Sequence, residues 1–61
     1  MKGFNIIEKV GISNKSYSDA VQQVMKNFNK QVQWFEVIEQ RGRVTEDQKI
    51  EFQVVVKIGH K

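Results

Sequence analysis

The chain has 61 residues, 39% of them apolar and 28% charged, with ten basic against seven acidic side chains and a formal net charge of +3. A single domain over residues 1–61 is the limit at this length, and such a domain buries only about 60% of the surface its unfolded chain exposes. Without cysteine and with His60 as its one histidine, the chain has no means of forming disulfides, thiolate metal sites or a multi-histidine centre, so oligomerisation is the remaining reinforcement.

In chain order, Lys2 to Val10 reads as a strand in which Phe4, Ile6 and Val10 share one parity and Ile7 breaks it. Gly11-Ile12-Ser13-Asn14 has turn chemistry. Ser16-Tyr17-Ser18-Asp19 has the S-x-x-D form of a capping box, with Ser16 placed to accept from the orphan amide of Asp19. Tyr17, Ala20, Val21, Val24, Met25, Phe28 and Val32 then recur at helical spacing over about four turns, with Gln22, Gln23, Lys26, Asn27 and Lys30 opposite. That stripe predicts one amphipathic helix facing a core.

From Gln33 the period changes to that of a strand. Phe35 and Val37 share one face, and Trp34, Glu36 and Ile38 take the other. After Thr45-Glu46-Asp47-Gln48 a further strand carries Ile50, Phe52, Val54, Val56 and Ile58 on one face and Glu51, Gln53, Val55 and Lys57 on the other. A two-residue loop at Glu46-Asp47 would set Phe35 opposite Ile58, Val37 opposite Val56 and Gln53 opposite Gln40. The β-α-β-β order predicts an α+β fold: a three-stranded antiparallel sheet of order 1-3-2 packed on one helix, its most apolar strand central. His60 is expected at a frayed, exposed terminus.

Partners follow from what the pattern lacks. The basic residues are interleaved with acids, and Arg41-Gly42-Arg43-Val44 does not continue into an RNA-recognition strand, so no nucleic-acid partner is expected. No apolar stretch approaches the ~20 residues of a membrane span, and Met1-Lys2-Gly3-Phe4-Asn5 lacks the apolar run of a secretory signal. A cytoplasmic protein with no membrane partner is expected. There is no nucleophile–histidine pair, no G-x-G-x-x-G and no metal-like spacing of acids, so the reading is not that of an enzyme.

One helix covers one sheet face and leaves the other bare. That second face carries Trp34, Ile38, Gln53 and Val55. A tryptophan beside an isoleucine on an open face marks a contact surface. Two readings compete: a subunit interface, or a stacking platform for a planar ligand.

The segment Trp34-Phe35-Glu36-Val37-Ile38-Glu39-Gln40-Arg41-Gly42, followed by Glu51-Phe52-Gln53-Val54-Val55, resembles the dodecin family of small flavin-binding proteins. Val10-Gly11-Ile12-Ser13 resembles that family's strand-to-helix junction. The resemblance implies a β-α-β-β subunit in a hollow homododecamer. It also implies flavins (FMN, riboflavin or its product lumichrome) bound in pairs between tryptophans of neighbouring subunits, stored and sequestered with photoprotective quenching. On this resemblance Trp34 stacks on the ring and Gln53 bonds its polar edge, an amide offering both donor and acceptor. Glu39 contacts the flavin side chain, and Arg41 lies near phosphate. Lys61 stands where relatives place an arginine, as a point charge without the bidentate fork. Coenzyme A is implied as a further ligand, and a purely structural oligomer with Trp34 as interface core is the alternative. With Gln53 opposite Gln40, Trp34 and Gln53 lie on the order of 20 Å apart along one chain. That exceeds an isoalloxazine ring, so a ligand site shared between subunits is expected.

Overall fold

The computed structural model describes residues 5–61, which run β1 (Asn5–Ser13), α1 (Tyr17–Asn27), β2 (Val32–Val44) and β3 (Ile50–His60). β3 is central, in the order β1-β3-β2, and antiparallel to both neighbours. This is the expected α+β fold. The expected strand start at Lys2 to Phe4 lies outside the described residues.

The junction into the helix is tied by side chains rather than by a turn at Gly11. β1 continues through Gly11 and Ile12 to Ser13. Ser16 is extended and its Oγ accepts from the Asp19 amide at 2.9 Å, the expected N-cap. The Asp19 carboxylate accepts from Ser13 Oγ at 2.6 Å, and that hydroxyl accepts from the Lys15 amide at 2.9 Å. Ser13 thereby locks the end of β1 to the first turn of α1. The helix stops after Asn27, where Phe28 turns extended and returns its N–H to Met25 O at 3.2 Å. Val32, which the periodicity places last in the helix, is instead the first residue of β2 and packs on the core from there.

The core is Ala20 and Val24 from α1 against Val54, Val56 and Ile58 of β3, flanked by Ile7, Tyr17, Val21, Met25, Phe28, Val32 and Val37. Each fully buried aliphatic side chain contributes about 1.5–3 kcal/mol. Ile7, which breaks the parity of β1, is the residue that faces this core. The regular members Ile6, Val10 and Ile12 point the other way and are each more than half exposed. Tyr17 meets Phe52 edge-on at 5.0 Å, and Phe28 meets His60 edge-on at 5.1 Å. His60 is therefore not frayed. It is buried, paired with Asn5 and Val32, and held from beyond by the Lys61 amide on Gln31 O at 3.1 Å.

The β2–β3 connection is longer than a two-residue loop. Thr45 donates its N–H to Lys49 O at 2.8 Å, and its carbonyl accepts from the Gln48 N–H at 2.9 Å, a type I turn closed by a left-handed residue. That residue is Gln48, at φ 64.

The backbone makes two stability effects measurable. A Cβ on Gly11 would lie 2.4 Å from Ala20 O and 2.6 Å from Val24 Cγ2, so Gly11→Ala should destabilise by about 1–3 kcal/mol, read by denaturant unfolding at matched protein concentration. Gln48→Gly removes the left-handed penalty of a side chain and should stabilise by about 0.5–1 kcal/mol. An unchanged or lowered unfolding midpoint for Gln48→Gly would contradict the turn assignment.

Candidate functional site

Buried Val54, Val56 and Ile58 fix which face of β3 meets the helix, so Glu51, Gln53, Val55, Lys57 and Gly59 face the open side. The register then lays the open face out in rows across β1, β3 and β2: Ile6, Gly59 and Trp34; Glu8, Lys57 and Glu36; Val10, Val55 and Glu39; Ile12, Gln53 and Arg41. Glu51 and Arg43 complete it at the hairpin end.

β2 reaches both ends of this array only because it is irregular. Its pairing shifts between Val32 and Trp34 and again between Val37 and Glu39. Phe35 and Val37 face the helix opposite Ile58 and Val56, as expected. Strict alternation would then send Glu39 and Arg41 to the helix side as well. The β-bulge at Ile38 reverses the parity, and Glu39 and Arg41 join Trp34 on the open face. The longer β2–β3 turn corrects the expected pairing beside it, so that Gln53 lies opposite Arg41 and Gln40 opposite Val54, and the bulge restores the expected register for Val37 and Phe35.

The predicted residues thus form two groups. Gln53, Glu39 and Arg41 share a shallow hollow with Val10, Val54 and Val55. Arg41 Nη2 donates to Glu39 Oε2, an exposed pair worth little to stability. Trp34 stands at the other end of the sheet beside Gly59, and Lys61 follows β3 at that same end. From Gly59 to Gln53 along β3 is about 20 Å, so the change of Gln53's partner does not bring Trp34 nearer. A larger hollow lined by Lys9, Gly11, Gln23, Asn27 and Phe28 lies between β1 and α1 and holds none of the predicted residues.

Sequence reasoning missed what holds Gln53. Its Nε2 donates to Glu51 Oε1 at 2.9 Å, and the same oxygen accepts from Arg43 Nε at 3.1 Å. The amide is therefore oriented, with its carbonyl and second N–H left for a ligand. The sequence carries part of this signal, since Glu51 and Gln53 stand two apart on one strand face, but Arg43 comes opposite Glu51 only through the longer turn. The hydrogen bond from Gln53, and then the Arg43 guanidinium, hold the Glu51 carboxyl below the usual glutamate range against an opposing effect of desolvation. A lowered folded-state pKa contributes stability that is present above the unfolded value and lost as pH falls through the folded one. Glu51→Gln should flatten the acid limb of the stability profile below the ordinary glutamate pKa, compared with the parent chain. Parallel unfolding profiles from neutral pH to pH about 3 would contradict this coupling.

Among the described residues no group of His, Asp and Glu could hold a metal ion, and no helix is long and apolar enough to cross a membrane. The sequence model of the Dodecin family matches residues 4–61. No curated protein matches. Of solved structures, the tt0972 protein from Thermus thermophilus is 32% identical, with a TM-score of 0.75 over 95% of this chain and 90% of its own. Dodecin from Streptomyces davaonensis is 26% identical, with a TM-score of 0.77 over 95% and 90%. The calcium dodecin of Mycobacterium tuberculosis, at 23% identity, shares the fold with a TM-score of 0.78 over 98% and 90%.

Proposed function

The chain belongs to the dodecin family, and from that premise we propose that it binds flavins of the FMN or riboflavin type in the cytoplasm, storing and sequestering them without turnover. The observation that carries this reading is a partly exposed indole, Trp34, on a sheet face that no helix or strand among the described residues covers. An aromatic face so placed suits a planar ring system, which gains both burial and stacking there.

The separation of Trp34 from Gln53 supports a pocket assembled from neighbouring subunits of a homo-oligomer, a dodecamer by family likeness. One subunit's Trp34 stacks on the isoalloxazine, and another's oriented Gln53 amide bonds its carbonyl and N–H edge. Glu39 faces the ligand's polyol chain. Arg41 and Lys61 supply charge for the phosphate of FMN, and that same charge would serve coenzyme A. Indole in contact with the ring quenches its excited state and limits photochemistry.

Native mass and an absorbance spectrum of the purified protein report assembly and bound flavin together. Titration with FMN should quench flavin fluorescence. Trp34→Ala should weaken binding by about tenfold or more while the oligomer persists. A variant that keeps its flavin affinity, or a wild-type protein that neither co-purifies with nor quenches flavin, would instead favour an assembly protein with Trp34 as interface core.

A further inference from the structure

Gly59 is a glycine inside the central strand, where glycine weakens pairing and leaves nothing to pack. Its backbone is outside the left-handed region, so its conformation does not require glycine. What requires it is space. Gly59 lies directly opposite Trp34, and a Cβ built on it would sit 2.3 Å from both Cε2 and Nε1 of the indole and 2.8 Å from Cζ2. No side chain fits there while the indole keeps its place. The shift in β2 pairing immediately before Trp34 acts in the same sense, since a bulge re-aims the side chain beside it.

We propose that Gly59 is the positioning residue for Trp34: its bare backbone is the seat against which the indole rests, and this sets the plane offered to a stacking ligand. The inference rests on the flavin reading for its functional consequence, but the seat itself is a property of the unliganded chain. Ile6, opposite Gly59 on its other side and exposed, bounds the seat on the β1 flank. With a methyl group at position 59 the indole must tilt or lift off the strand. The stacking geometry then changes although every group proposed to touch the ligand is still present.

Four proteins decide it: the parent, Gly59→Ala, Trp34→Leu, which lacks the ring atoms that the methyl would meet, and the double variant. Near-ultraviolet circular dichroism of the ligand-free parent and of ligand-free Gly59→Ala reads the seat through the chain's only tryptophan; FMN titration reads the consequence. Gly59→Ala should change the indole band and weaken FMN binding by about fivefold or more. The alanine should lower the unfolding midpoint when Trp34 is present. It should have little effect in the double variant, where a shorter leucine side chain replaces the indole. If Gly59→Ala fails to assemble, recovery of assembly in the double variant supports the seat, and its failure there overturns it. An unchanged indole band with parental FMN affinity in Gly59→Ala also overturns it. Parental FMN affinity in Trp34→Leu overturns the flavin reading alone, and the indole band then still judges the seat.

Discussion

Eleven helical residues span about 16 Å, whereas strands of nine to thirteen residues span about 30 to 43 Å. A single helix of that length shields only a strip of one side of the sheet it packs on. α1 lies over β1 and β3, and the buried residues are those beneath it: Val54, Val56 and Ile58. Outside the strip, even helix-side positions stay wet. Phe35 on β2, and Val44 and Ile50 at the hairpin, are each about half exposed or more. On the far side no helix or strand among the described residues lies over Ile6, Val10, Ile12 and Trp34. More large apolar side chains are exposed than buried among the described residues, and that imbalance is what makes association part of the fold's design.

The same constraint explains why one strand carries the fold while another carries the site. β3 is nearly regular, with its apolar parity committed to the helix and its polar parity to the open face. β2 has to serve both faces in turn. Its bulge at Ile38 lets Phe35 and Val37 close the core while Glu39 and Arg41 turn outward beside Gln53. The relay from Arg43 through Glu51 to Gln53 then aims an amide that would otherwise rotate freely.

Much of this is legible in the sequence, and what is not has identifiable reasons. The cap at Ser16, the helix stripe and the even positions of β3 are signals of period and local chemistry, and they place the helix, the strand order and Trp34's face. The bulge leaves no such mark: one extra residue inside Ile38-Glu39-Gln40 does not disturb a run that is already mixed in character. In β1 the parity with more apolar members faces outward, away from the helix, so the count of apolar residues does not tell which face meets the core. His60 reads as a loose end because it stands near the end of the chain, although its strand neighbours continue the alternation and Phe28 closes over it. Gly59 does carry a signal, since a glycine within a strand marks close approach.

β2 is also an outer strand, and its interruptions bear on solubility. A long unpaired edge invites another chain to add in register, and repeated addition gives fibres rather than closed particles. Irregular pairing at Gln33 and at Ile38 divides this edge into short stretches, and Lys30, Arg41 and Arg43 place charge near or along it. The residues that turn the polar groups toward the open face therefore also interrupt the edge along which an open-ended fibre would grow.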